Sequence, residues 1–401
     1  MINVFKNSSN LTNIAYAYYS CKNLTGSPVC GNNVTNMCGT YEYCYNLIGS
    51  PVCGPNVTDM SLAYYNCQNL TGSPVCGDKV TDMISTYYYC NNLTGNPVCE
   101  PNVINMRNTY GHCQNLTGSP VCGPNVTDMN GTYYFCNNIT GEPVCGDKVT
   151  NMAHTYSYCY NLTGNPVCGP NVTDMNGTYH DCVNLTGSAV CGDLVTNMYF
   201  AYYNCTNLTS AVCGNNVVDM SCAYGKCYNI KVPVCGPNVI DMHQAYFNCY
   251  KLTGTAVCGP NVKNMSHTYN NCTNLTSPVC GPNVIDMSYT YQNCYKLIGS
   301  PVCGNNVTDM NYAYHNCYNL TSPVCGPNVK YMSGAYQNCF NLTGSPVCGD
   351  NVVKMSGTYY NCRNLTGSPV CGPNVNEMIE TYYNCRNLTG SPVCGDRKSV
   401  V

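Results

Sequence analysis

The sequence contains no tryptophan, five phenylalanines and few charges, which make up 9% of its 401 residues and leave a formal net charge of −3. No cluster of lysine and arginine occurs, so the basic surface of a nucleic-acid-binding domain is excluded. No apolar run reaches the roughly 20 residues that a transmembrane helix needs. The segment up to Cys21 lacks the apolar stretch of a secretory signal peptide, so none is predicted.

What the sequence has in abundance is repetition. A unit of 23 residues, shortened to 22 in four places, recurs along almost the whole chain, and Met355–Val375 is a clean copy. A tyrosine follows each internal methionine by four residues, and a cysteine follows that tyrosine by three. In the repeat Met355–Val375, the residues that recur in the other repeats are Met355, Tyr359, Cys362, Leu365, Val370, Cys371, Asn374 and Val375.

This spacing predicts the local structure of one repeat. Residues at i, i+4 and i+7 share one face of a helix, so Met355, Tyr359 and Cys362 predict a short helical turn with an inward stripe. The Ser-Pro-Val-Cys run predicts a short strand, and the glycine after it a turn. One repeat cannot bury its Leu, Val, Val, Met, Tyr and Cys alone, but stacked repeats can, so an α/β solenoid is predicted.

The repeat also resembles a known family. Leu24–Val34 follows the pattern L-x-x-S-x-V-x-x-x-N-V and resembles the leucine-rich repeat. The 23-residue period and the pattern V-x-x-M-x-x-x-Y-x-x-C resemble its BspA-like type, which usually has Ile and Phe where this chain has Met and Tyr. The resemblance covers about Asn10 to Asp396 and implies a leucine-rich-repeat solenoid.

We therefore predict a single solenoid of about seventeen repeats over residues 21–396. A partial repeat precedes it at residues 1–20, and a short tail follows at residues 397–401. With strands stacked at roughly 4.8 Å, such an array extends on the order of 80 Å.

The 36 cysteines form two columns, with Cys38 and Cys222 outside them. The resemblance implies that the column of Cys362 consists of small buried residues. The column of Cys371 is predicted on the outer face of the strand, where neighbours about 5 Å apart meet the distance requirement of a disulfide. These cysteines are therefore either cross-linked or free thiols, and the lack of a signal peptide favours thiols. Without Cys-x-x-Cys pairs, no zinc array and no other cofactor is predicted.

Asparagine precedes both the turn valine, as at Asn374, and the core leucine, as at Asn387. The favoured interpretation is a ladder of amides that bond the backbone of neighbouring repeats. N-glycosylation of the frequent Asn-Leu-Thr tripeptides is the alternative. Aspartate often precedes the methionine, where a helix N-terminus favours a carboxylate, so no calcium site is predicted.

The six histidines occupy several different positions of the repeat, and no catalytic grouping is apparent, so the chain is predicted not to be an enzyme. Our functional hypothesis is a binding or adhesion protein whose Tyr-, Asn- and Thr-rich face recognises a protein or a glycan. The resemblance implies a place on a cell surface or a virion. The alternative is a structural protein that assembles end to end into filaments. No nucleic-acid partner and no membrane insertion are predicted. Individual ligand-binding residues are not assigned, because every repeat presents nearly the same surface.

Overall fold

The computed structural model describes residues 10–391, Val393 and Cys394. The chain winds into rungs, each one repeat long, and forms two compact units, of which unit 1 ends at Asn207 and unit 2 begins at Leu208. Within each unit, the predicted solenoid of stacked repeats is confirmed. Residues 1–9 of the predicted partial repeat and the predicted tail at residues 397–401 lie outside the described residues.

Regular strands in the described residues are short and lie in unit 2. They pair in parallel, β1 (Gly254–Thr255) with β2 (Leu275–Ser277), β3 (Ile298–Gly299) with β4 (Asn319–Leu320), and β5 (Val370–Cys371) with β6 (Val393–Cys394). Only β5 and β6 lie at the predicted Pro-Val-Cys position.

A second parallel pairing is much more regular. The residue just before each methionine, or before Ile14 in the first described rung, bridges its equivalent in the next rung, from Asn13 to Asn197 in unit 1 and from Asp219 to Glu377 in unit 2. The side chain at this position usually accepts a hydrogen bond from the N–H two residues later, as Asp128 does from Asn130 at 2.8 Å. These carboxylates and amides therefore form local turns rather than capping a helix.

The segment from methionine to cysteine is not helical, which corrects the predicted helical turn. In the rung Met129–Cys136, the N–H groups of Thr132, Tyr134 and Cys136 donate to the carbonyl three residues earlier, at 3.0–3.1 Å. The N–H groups between them donate to the next rung, as Tyr133 does to Thr155 at 2.8 Å. Because a helix requires every N–H to bond within its own segment, alternating partners produce three overlapping β-turns instead.

These turns force a left-handed backbone at two positions of each rung. In the same rung, φ is +61° at Gly131 and +59° at Phe135, which are the third residues of the first and last turns. Asparagine tolerates this conformation better than most residues, whereas a bulky side chain is disfavoured there. The residue at the second left-handed position is an asparagine in most rungs of unit 2 and an aromatic residue in four successive rungs of unit 1.

The core tyrosine holds each rung together across its width. The Tyr133 hydroxyl donates to the Val121 carbonyl at 2.8 Å and accepts from the Val121 N–H at 2.9 Å. Within each unit the rings of these tyrosines stack face to face, with centroids 5.4–5.7 Å apart. A phenylalanine would stack equally well but would leave both backbone groups of the valine without these bonds. This explains why tyrosine stands where BspA-like repeats usually have phenylalanine.

The repeated positions named from the sequence differ in burial. Met355, Tyr359, Cys362 and Leu365 are fully buried. Val370, Cys371 and Val375 are partly exposed, and Asn374 is exposed.

The strand valine was predicted to point inward, but it is partly exposed throughout the described rungs. The residue before it is buried instead in most rungs, for example Pro51, Ala189 and Ala256. Because the tyrosine hydroxyl holds the backbone of the valine itself, the neighbouring side chain is the one that fills the core.

The column of Cys362 is here called the inner column, and the column of Cys371 the outer column. The cysteines of both columns are free thiols wherever the structure describes their side chains. In the inner column, Cys159 donates its thiol to the Tyr133 carbonyl of the preceding rung at 3.1 Å, and burial raises its pKa. In the outer column, Cys145 donates to the Gly146 carbonyl at 3.6 Å, and burial raises its pKa to about 12. Cys159 and Cys145 are therefore protonated, weakly reactive thiols at neutral pH.

We expect the substitution Tyr133→Phe to destabilise unit 1 by about 1–3 kcal/mol, since the N–H and carbonyl of Val121 lose their partner. Urea unfolding measures this change, and hydrogen exchange at the Val121 amide localises it. The matched control is Tyr134→Phe, because the half-buried Tyr134 hydroxyl has no hydrogen bond in the described structure. Equal stability of the two variants would show that the bond across the rung contributes little.

Candidate binding face on unit 1

The rungs differ at the left-handed position that directly precedes the inner-column cysteine. In unit 2, this position forms an asparagine ladder in which each side-chain amide donates to the preceding one at 2.6–2.9 Å. The ladder consists of Asn248, Asn271, Asn293, Asn316, Asn338, Asn361 and Asn384. In four successive rungs of unit 1, the same position holds Tyr89, His112, Phe135 and Tyr158, which we call the aromatic wall. The repeat therefore replaces a hydrogen-bonded ladder with stacked rings.

The rings of the aromatic wall lie nearly parallel. Centroid separations are 4.2 Å from Tyr89 to His112, 5.0 Å from His112 to Phe135 and 4.1 Å from Phe135 to Tyr158. All four residues have φ of 59–63°. Bulky residues in this conformation cost on the order of 1–3 kcal/mol each, and such strain concentrates at functional sites. The wall therefore retains aromatic side chains at positions where asparagine would be less strained.

Two further tyrosines stand edge-on against this wall. Tyr88 lies 5.4 Å from His112 at an interplanar angle of 85°, and Tyr134 lies 4.8 Å from Phe135 at 80°. Both occupy the position after the core tyrosine, two rungs apart, and Gly111 takes that position in the rung between them. A Cβ added to Gly111 would come within 2.4 Å of the Tyr88 ring. The glycine thus allows the Tyr88 ring to lie across the intervening rung.

A cleft of about 160 Å³ opens between these two tyrosines. It is lined by Tyr88, Asn108, Asn130, Gly131, Tyr134 and His154. The side-chain amides of Asn108 and Asn130 have no hydrogen-bond partner among the described residues. The cleft therefore combines aromatic surface with unused donors and acceptors.

The cleft is uncharged at neutral pH. Burial lowers the pKa of His154, although the Asp174 carboxylate opposes this shift, and burial also lowers the pKa of His112 in the wall behind. Burial raises the pKa of Tyr88 to about 12, with a further contribution from Tyr89. Neutral imidazoles and protonated phenols leave an aromatic, hydrogen-bonding surface without net charge.

This face was not predicted from the sequence, because the rungs were treated as equivalent. The signal was present in the residue before the inner-column cysteine, which changes from asparagine to an aromatic residue in consecutive repeats. The asparagine predicted to bond neighbouring turns does so, as Asn125 donates to the Pro101 carbonyl at 2.9 Å. The residues described contain no group of three or more His, Cys, Asp or Glu side chains suited to a metal ion. They also contain no helix with the length and apolarity required to span a membrane.

Comparison with solved structures identifies the fold class as the leucine-rich-repeat solenoid. The chain is similar to a leucine-rich repeat protein from Bacteroides ovatus, with a TM-score of 0.59 and 14% identity over 95% of this chain and 87% of that one. It is also similar to a leucine rich cell surface protein from Faecalibacterium prausnitzii, with a TM-score of 0.46 and 17% identity over 87% of this chain and 88% of that one. No protein-family model and no curated protein sequence matches the chain. The fold predicted from the repeat pattern is thus confirmed.

We expect His112 to titrate below the ordinary histidine pKa of about 6.5, because burial between rings disfavours its charged form. The folded state then binds fewer protons than the unfolded state, so stability from this group is present above pH 6.5 and falls as the pH drops through the folded pKa. An NMR titration of the His112 ring measures the midpoint, and urea unfolding at neutral and acidic pH measures the stability. In His112→Tyr, the ring remains and the contribution of this group to the pH dependence should vanish. A midpoint at or above 6.5 would contradict the burial argument.

Proposed function

We propose that this chain is a non-enzymatic binding protein of the adhesion type, whose partner docks on the aromatic wall and cleft of unit 1. One observation carries the proposal: four consecutive rungs place partly exposed aromatic side chains in a strained backbone conformation that the rest of the array fills mainly with asparagine. Backbone strain that recurs in successive repeats is typical of a functional site, and exposed aromatic side chains are enriched in recognition sites.

The composition of the face supports attachment rather than chemistry. Tyrosine provides rigid contact area at low entropic cost, and amides provide adaptable hydrogen bonds, as in protein and glycan recognition sites. The face is neutral, so the partner does not need to be charged. A position on a cell surface or a virion is the part of the proposal that rests on the BspA-like resemblance.

The full-length chain should first be screened against immobilised matrix proteins, host-cell surfaces and glycans, and then compared with its variants. Tyr134→Ala removes a ring from the cleft and should weaken binding about thirtyfold or more, as the loss of a central aromatic anchor does. The matched control is Tyr360→Ala, because Tyr360 is half-buried at the same repeat position in unit 2, beside Asn361 of the asparagine ladder.

Two outcomes would contradict the proposal. One is that the chain binds none of these surfaces. The other is that Tyr134→Ala and Tyr360→Ala weaken binding equally, which would place the partner elsewhere on the solenoid.

A further inference from the structure

We infer that the cleft between Tyr88 and Tyr134 is a subsite for a single uncharged sugar ring of a glycan. This inference rests on the proposed function, since it assigns a ligand class to the same face of unit 1. Size, ring geometry and hydrogen-bonding capacity each support it.

The volume of the cleft limits what it accepts. At about 160 Å³, it is smaller than the roughly 300–1,000 Å³ of typical small-molecule sites. A folded protein segment or a helix is too large to enter. A single ring at the end or along the edge of a larger molecule fits these dimensions.

The arrangement of the tyrosines favours a ring with apolar C–H faces. Tyr88 and Tyr134 are held perpendicular to the aromatic wall by His112, at 5.4 Å and 5.2 Å, with interplanar angles of 85° and 81°. These edge-to-face contacts fix the planes of both phenols before any ligand arrives. Two preorganised aromatic surfaces on either side of a small gap suit the flat, C–H-rich face of a pyranose.

The amides supply what a sugar hydroxyl needs. Each hydroxyl both donates and accepts, and a primary amide offers two donors and a carbonyl acceptor in one plane. Asn108 and Asn130 line the cleft with these groups unpaired among the described residues. In the asparagine ladder of unit 2, by contrast, the amides are used on each other, for example Asn316 with Asn293 at 2.7 Å.

The lack of charge narrows the class of sugar. None of the six residues that line the cleft is an acid, a lysine or an arginine. An acidic sugar or a phosphate would therefore enter without a cationic partner, and its desolvation would be uncompensated. A neutral hexose or N-acetylhexosamine carries no such penalty.

Saturation-transfer NMR on the full chain tests this inference with neutral trisaccharides of glucose, galactose, mannose and N-acetylglucosamine, and with a sialylated trisaccharide as the charged comparison. We expect transfer concentrated on one ring of at least one neutral probe and little or none to the sialic acid. Asn130→Ala should weaken binding of that probe at least tenfold. Because the Asn130 side chain has no partner in the fold, this change should leave stability unaltered.

Two further variants separate a local effect from a general one. Gly111→Ala displaces the Tyr88 ring and should also weaken the probe, while Asn311→Ala, at the repeat position of Asn130 in unit 2, should not. The inference is wrong if no neutral sugar binds, or if binding survives both cleft variants. Suppose that either of these results is found but Tyr134→Ala nevertheless prevents binding to a protein partner. The proposed binding function is then retained, and only the assignment of a sugar as the ligand is wrong. If Tyr134→Ala has no effect either, both are wrong.

Discussion

The hydrogen bonds between each core tyrosine and the strand valine on the opposite side of its rung determine the geometry of this solenoid. The Tyr64 hydroxyl, for example, donates to the Val52 carbonyl at 2.7 Å and accepts from its N–H at 3.0 Å. These bonds take up the backbone groups that would otherwise pair with the neighbouring rung, so a continuous sheet does not form at this position. They also fix the ring plane, so the tyrosines of adjacent rungs stack and the array gains dispersion contacts at every step.

The left-handed positions also follow from the way in which the backbone N–H groups are hydrogen-bonded. Because alternate N–H groups between methionine and cysteine bond to the next rung, the intervening ones close β-turns, and the first and last of these turns each contain a residue with positive φ. At the second of these positions, most rungs of unit 2 have asparagines, which tolerate positive φ and whose amides bond one another. Four successive rungs of unit 1 instead have Tyr89, His112, Phe135 and Tyr158 at this position, and so exchange local stability for partly exposed aromatic surface. A trade of this kind is expected where function rather than folding selects the side chain.

Small residues are as important to the candidate site as the aromatic ones. Gly111 leaves room for the Tyr88 ring, and Gly131 leaves room for the Asn108 side chain, whose oxygen would lie 2.1 Å from an added Cβ. The two glycines lie in adjacent rungs and together leave a depression, which side chains at these two positions would fill. The two unpaired amides and the two fixed phenols of the cleft then meet within a space suited to one small ring.

The sequence by itself determined the repeat, its period, the solenoid class and most of the buried columns, because the spacing of Met, Tyr, Cys, Leu and the turn Val is set by which side chains must meet at the core. It could not distinguish a helical turn from overlapping β-turns, since both place Met129, Tyr133 and Cys136 on the inner side. That choice was decided by where alternate N–H groups find carbonyls, which depends on the neighbouring rung. The inward position of the residue before the strand valine follows in the same way from the tyrosine hydroxyl. The cleft, finally, arises from side chains in several successive rungs, and only stacking brings those residues together.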